Sequence, residues 1–498
     1  MNRKRKLVLN TISGIVRQIV AMICGFILPR YMLVYFGSQT NGLVSSINHY
    51  LGFISLLDLG VGSVILSNLY KPLAQNDSTE ISKVVKSSDR FFHSLGYIFL
   101  AYIAVLAILF PNVIYINDDK WFTVSLLFII AISTFVEYFF GMTNKLLLDA
   151  DQKAYIPLAL ATCTTILNTA IAIILMKNGA GIRGVKLGSA IVYTIRPIVQ
   201  QIYIKAHYKI DRSIKLTEEP IKQKWNGFSQ HLSAVVCQNV DVLALSLFST
   251  MENVSIYSVY YTVVYGIQQA IMTSATGVES LFGNLIANNE NDKLIAVFSS
   301  IEWIVHTIVT VVFTIAAIVI VPFMSVYTRG ITDADYQQPV FGLLLVLAYA
   351  AMCLRVPYFR IIKASGHFKQ TQNGAFISAI INTVITLALV FKFGLIGAAV
   401  GTFVALVYHT CYFVFYLKGN ILNRPLRIFA KYLLTDCLIG IASFFSTMSF
   451  QMSETTYFAW IVLSLKVGLV CLVFSALINF VFYRKEIHTA VSLIKKSN

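Results

Sequence analysis

Charge is scarce in this chain. Only 12% of its 498 residues are Asp, Glu, Lys or Arg, against 57% hydrophobic, and the mean hydropathy is +0.72. Soluble domains carry about 25% charged residues, so the composition excludes a soluble enzyme and implies a polytopic membrane protein. Long polar stretches are missing too: most links between apolar runs are under about 20 residues, which leaves no room for an attached soluble domain. The seven cysteines (Cys24, Cys163, Cys237, Cys353, Cys411, Cys437, Cys471) all lie within apolar runs. None has the paired spacing of a metal site or an exposed disulfide framework, so they read as packing residues and no metal or cofactor is expected. A small-residue cleavage site is also lacking. The basic run Asn2 to Lys6 leads into an apolar segment too long for a signal peptide, so an uncleaved first span is expected.

What is present is a series of apolar runs. Fourteen spans are expected, near 8–36, 41–69, 90–116, 121–147, 154–177, 183–206, 227–250, 254–286, 301–327, 338–363, 371–391, 395–417, 429–450 and 457–482. The net charge of +16 would suit nucleic acid, but its placement argues against that. With the N-terminus inside, the inner links and tails hold 28 of the 39 Lys and Arg, including those of the 205–224 and 418–431 loops. The outer links hold six (Lys120, Lys177, Arg183, Lys186, Arg329, Lys392). This is the positive-inside pattern, with both termini cytoplasmic. Five more (Arg17, Arg30, Arg196, Arg355, Lys466) fall inside spans.

Internal similarity sets the architecture. Gly181, Gly184 and Gly188 match Gly394, Gly397 and Gly401, each block joining two spans. Ala150 to Ala154 with Asn168 matches Ala364 to Phe368 with Asn382, and Gly60-Val-Gly-Ser63 matches Gly277-Val-Glu-Ser280. The offsets of 213 to 217 span six helices, an even number, so the halves share one orientation. The expected fold is therefore all-α, with about 14 transmembrane helices. A six-helix lobe at 1–206, a cytoplasmic link at 207–224 and a second lobe at 225–418 precede two extra helices at 427–483 and a tail at 484–498. A rocker-type transporter is expected, with its site between the two lobes near the midplane.

A family resemblance rests on the second span. Gly42-Leu43, the run Ile54-Ser-Leu-Leu-Asp58-Leu-Gly60-Val-Gly62, and Leu69-Tyr70-Lys71-Pro72-Leu73-Ala74 resemble the lipid-linked oligosaccharide flippases. These are the O-antigen and capsule exporters of the multidrug/oligosaccharidyl-lipid/polysaccharide exporter superfamily. The resemblance implies a repeat unit on undecaprenyl diphosphate, turned from the cytoplasmic to the periplasmic leaflet of the bacterial inner membrane. It also implies the bilayer as a partner, together with a polysaccharide polymerase and chain-length regulator, and no covalent chemistry.

Such a substrate makes three demands. Its diphosphate needs cations or donors, and arginine's planar fork meets two oxygens at once; Arg17, Arg196 and Arg355 are the candidates. Its sugars need polar side chains, for which Gln230 with His231, Gln238, Gln268 and His49 are placed on spans. A driven cycle needs a titratable or ligating group, met by Asp58, Glu137, Asp241 or Glu279 with H+ or Na+ as the coupling ion. Arg30 is expected to pair with Asp241 across a closed outer gate, or each to pair within its own lobe. Asp58 reads mainly as an inner-gate or packing acid. Asp149-Ala-Asp151 has the look of a glycosyltransferase metal motif, but its repeat counterpart, Lys363-Ala-Ser365, makes it a connecting turn. A multidrug or cation antiporter, a peptidoglycan-precursor flippase, and a membrane polymerase or glycosyltransferase are the rival readings.

Overall fold

The computed structural model describes residues 3–58, 61–114, 119–214, 228–484 and 486. Helices make up nearly all of it, and no strand occurs among the described residues. In chain order they are α1 (Arg3–Gly52), α2 (Val61–Gln75), α3 (Ser78–Val113), α4 (Lys120–Val136), α5 (Met142–Ala150), α6 (Tyr155–Lys177), α7 (Ile182–His207) and α8 (Phe228–Phe248). There follow α9 (Met251–Ser274), α10 (Thr276–Ala287), α11 (Asn291–Tyr327), α12 (Pro339–Leu354), α13 (Val356–Ala364), α14 (Phe368–Phe393), α15 (Leu395–Asn420), α16 (Arg427–Thr447) and α17 (Tyr457–Phe482). Ten of the described segments are long and apolar enough to cross a membrane. Outward-facing positions such as Ile108, Phe391 and Leu465 are apolar and exposed, as a lipid-facing surface requires. The chain is a multi-pass membrane protein.

The expected spans appear, several of them broken. The first two are fused into α1, and the link expected between the 8–36 and 41–69 spans reduces to one residue. Gly37 takes φ 76°, a backbone region where only glycine is comfortable, and the helix resumes at once. The second span then breaks differently: a 3-10 turn over Phe53–Asp58 precedes α2, which runs through Pro72 to Gln75. The fourth span contains a π-helical turn, Glu137–Gly141, between α4 and α5, closed by Met142 N–H donating to the Glu137 carbonyl. The eighth breaks at Ala275 and the tenth at Arg355, just ahead of Pro357.

These breaks and helix starts recur at a constant spacing. The starts of α3 and α11 (78 and 291), α6 and α14 (155 and 368), and α7 and α15 (182 and 395) each differ by 213. Val61 to Ser63 of the first matched block open α2, and Gly277 to Ser280 of the second lie in the first turns of α10.

The chain divides into two compact units, Met1–Ser255 and Ile256–Asn498. The first counts α8 as its own, because α8 lies along α1: His49 Nδ1 meets Asn239 Oδ1 at 2.9 Å and Tyr50 meets Ser246 at 3.3 Å. One core of this unit joins Leu43, Ile47 and Leu51 of α1 to Phe99 and Phe110 of α3 and to Leu126 and Leu127 of α4. A second joins α2, α3 and α5 through Ile65, Leu69, Phe92 and Leu147. In the second unit α14 and α15 pair closely, with Asn382 donating to Thr402 at 3.0 Å. The final helices seat on α11 through Val311 and Val319 against Leu463, Val467 and Cys471.

Candidate functional site: a cationic cavity in the first unit

The first unit carries an open cavity of about 640 Å³, within the size range of small-molecule sites. Helix α1 lines it with Arg17, Ala21, Cys24, Gly25 and Leu28, one face at helical spacing. Glu137 projects from the π turn and Lys145 from α5, while Thr165, Asn168 and Thr169 come from α6 and Tyr193 and Arg196 from α7. The local sequence explains the placement. The π turn inserts one extra residue into the α4–α5 span, and Gly141 lets the Glu137 carboxylate fold back beside it, 3.2 Å from where a Cβ would stand.

Arg196 is held in position rather than free. Its Nε donates to Thr164 Oγ1, its Nη2 reaches the Ala161 carbonyl and Thr165 Oγ1 at 3.4 and 3.3 Å, and its guanidinium lies 4.6 Å from the Tyr193 ring centre. Asn168 donates to the Tyr193 hydroxyl at 3.0 Å, and its own buried carbonyl oxygen has no partner among the described residues. Arg17, Lys145 and Glu137 make no hydrogen bond or ion pair with any described residue. Three cations therefore surround one carboxylate, with most of their donors unused. A cavity with that surplus at membrane depth favours an anion rich in acceptor oxygens.

Of the expected site residues, Arg17, Arg196 and Glu137 line this one cavity. Lys145 is not among the expected site residues: it lies one helical turn before Asp149, near the end of the expected 121–147 span, whose period is shifted by the π turn. The other expected residues lie elsewhere. His49 bonds Asn239 in the α1–α8 seam. Gln238 is exposed on α8 and Gln268 is buried on α9. The side chains of Asp58, Gln230 and His231 lie outside the described residues. Arg30 follows Pro29 on α1, and Asp241 is buried on α8. Arg355 belongs to the second unit, where Nη1 donates to His409 Nδ1 at 2.6 Å and the guanidinium faces Phe413. Glu279 binds Arg360 at 3.0 Å and Lys363 at 3.1 Å, tying α10 to α13.

The expected turn at Asp149–Asp151 is a structural knot. Asp151 accepts from Tyr208 Oη at 2.6 Å and pairs with Lys153 at 2.8 Å and Lys6 at 3.0 Å. Asn10 completes it, donating to the Gln152 carbonyl and accepting from Tyr155 N–H. The start of α1 is thereby fastened to the α5–α6 turn.

Comparison with solved structures places this fold among transporters. The chain is similar to the lipid II flippase MurJ in an inward closed conformation, with TM-score 0.72, 17% identity, and 96% of this chain and 100% of that one covered. It is also similar to a multidrug resistance MATE family transporter of the MOP superfamily in an inward-facing conformation, at TM-score 0.62 and 15% identity over 81% and 98% of the two chains. The outward-facing form of such a transporter aligns at TM-score 0.53 and 14% identity, over 83% and 95%. No family model matches the sequence, and no curated protein does. The chain shares its fold with these solved proteins.

Proposed function

We propose that the chain is a flippase for saccharides carried on a polyprenyl diphosphate, namely undecaprenyl-diphosphate-linked repeat units for O-antigen or capsule. It moves them from the cytoplasmic to the periplasmic leaflet of the bacterial inner membrane, with both termini cytoplasmic. One observation carries this: Arg17, Lys145 and Arg196 converge on a cavity whose single carboxylate among the described residues is Glu137. A diphosphate is the lipid headgroup that such a set neutralises most completely, and the second-span signature supports the saccharide cargo. In the cycle Arg17 and Lys145 take the diphosphate oxygens, Arg196 stays pinned by α6, and Glu137 repels the anion enough that it leaves. Exposure of the cavity alternates between leaflets, with Arg30 and Asp241 at its outer gate. A polysaccharide polymerase and chain-length regulator receive the product.

A second reading, export of the peptidoglycan precursor, is favoured by the likeness to the lipid II flippase at TM-score 0.72. It uses the same cavity chemistry. Gene deletion separates the two. Loss of surface polysaccharide, with undecaprenyl-linked repeat units accumulating on the inner leaflet, supports the first reading. Arrest of cell-wall growth with intact surface polysaccharide supports the second, and neither phenotype in a strain without a redundant exporter rejects both.

A further inference from the structure

The second unit contains a buried polar chain that the cavity does not use. On α11, Glu302 and His306 are each 1% exposed and stand one helical turn apart, with Thr310 one turn further. Arg424, from the α15–α16 link, pairs with one Glu302 oxygen. Tyr358 Oη of α13 lies 2.5 Å from the other. His306 Nε2 is 3.4 Å from the same Tyr358 oxygen, and His306 Nδ1 is 2.6 Å from Asp436 Oδ2 of α16. Thr310 donates to the remaining Asp436 oxygen at 2.6 Å.

Counting hydrogens decides what this chain holds. Three contacts run Glu302–Tyr358, Tyr358–His306 and His306–Asp436, the middle one long at 3.4 Å, and satisfying all three takes one hydrogen apiece. Ionised carboxylates bring none, tyrosine brings one, and neutral imidazole brings one. Two hydrogens cannot serve three bonds. Arg424 and Thr310 spend theirs on other oxygens, so neither supplies the third. Charge gives the same answer: two carboxylates against one guanidinium leave a net −1 in a buried site, which a single proton cancels.

We propose that this chain is a proton-binding site, occupied by one proton beyond the ordinary complement and carried on His306 as imidazolium. Nδ1–H then donates to Asp436, Nε2–H donates to the Tyr358 oxygen, and the Tyr358 hydroxyl donates to Glu302. Other charged groups on the surrounding elements are engaged or peripheral. Glu279 of α10 is held by Arg360 and Lys363 of α13. Arg355, between α12 and α13, is on His409. Lys431 of α16 donates to the Phe482 carbonyl, Tyr483 bonds Thr435, and Lys466 of α17 is exposed. A hollow of about 380 Å³, walled by Arg424, Lys431, Tyr432, Tyr483 and Glu486, adjoins the Arg424 end. Exposed Lys418 stands at that end as well. The hollow gives the proton a polar way in. Loading and unloading there is the step a proton-driven exporter needs; that use rests on the transport reading, whereas occupancy does not.

Nitrogen-15 histidine spectra of the full chain in detergent near neutral pH test occupancy, with His306 assigned by loss of its signals in His306→Gln. Wild type is expected to show both His306 ring nitrogens protonated. Glu302→Gln and Asp436→Asn each supply a hydrogen through the new amide and remove one negative charge, so in either variant His306 becomes neutral. A singly protonated His306 in wild type overturns the proposal. So does an imidazolium that persists in Glu302→Gln, since that reduces the chain to an isolated His–Asp pair. In liposomes loaded with a labelled polyprenyl diphosphate, an imposed pH gradient should alter wild-type transfer at least tenfold more than that of Asp436→Asn. Transfer that responds equally in both overturns the coupling role alone, and no transfer by wild type overturns the flippase reading while leaving the spectra as evidence.

Discussion

Arg17 stands in the cavity without a hydrogen bond or ion pair to any described residue, and the size of its contribution follows from that. A charge-assisted hydrogen bond is worth about 1.5–3 kcal/mol, so Arg17→Ala should lower diphosphate binding by roughly 10- to 100-fold. Folding should be unaffected, because no internal bond is lost. Titration of the purified protein with a short-chain polyprenyl diphosphate measures this directly. Glu137→Gln should act oppositely, binding the anion more tightly and releasing it more slowly, seen as a lower KM with a lower kcat. Asp151 makes a separate prediction. Burial pushes its carboxyl up, but hydrogen bonds from Lys153, Tyr208 and Lys6 outweigh this and hold it below the ordinary range. A depressed carboxylate stabilises the fold above its unfolded value and loses that contribution as pH falls through the folded one. Melting temperature should therefore drop on acidification below the usual carboxylate range, more steeply in wild type than in Asp151→Asn. These residues differ in how legible they were. Arg17 and Arg196 announced themselves as charges in apolar runs, while Glu302, His306 and Asp436 escaped because their meaning lies in contacts among α11, α13 and α16. The i, i+4, i+8 stripe on α11 was the only local sign.

At the scale of elements, the two glycine blocks look alike in sequence and differ in packing. A Cβ on Gly401 of α15 would stand 2.1 Å from Thr386 Oγ1 and 2.8 Å from its backbone nitrogen, and one on Gly397 would stand 2.5 Å from the Leu389 carbonyl. On α7, a Cβ at Gly184 meets only Ala180 at 3.7 Å. Gly401→Ala and Gly397→Ala should each cost about 1–3 kcal/mol or more through overpacking, whereas Gly184→Ala should be neutral or slightly stabilising, because alanine is the better helix former. Thermal unfolding in detergent checks all three. Matching glycines therefore marked equivalent helix starts at a 213-residue spacing but did not report where backbones touch. The breaks in the spans were equally hidden. Hydropathy stays high through a π turn or a 3-10 turn, so a periodic apolar pattern reads as one helix where the backbone makes two.

Over the whole chain, the fourteen-span plan and the 213-residue spacing were readable because lipid imposes length and hydropathy on every crossing. The cavity lining was readable only as isolated charges in apolar runs. One consequence for the whole protein comes from the π turn at Glu137–Gly141. It is a phase insertion: beyond it, every residue of α5 is rotated by about 100° relative to an uninterrupted helix. Deleting a single residue there should heal the turn into regular α-helix, with little loss of length or hydropathy. The same edit would swing Lys145 away from Arg17 and move Leu147 and Leu148 out of register with α2 and α3. A one-residue deletion at 137–141 should thus insert into the membrane normally yet abolish transport, whereas one in the outward-facing part of α17 should be tolerated. The bend is a reading frame for side chains, and the cavity exists only in that frame.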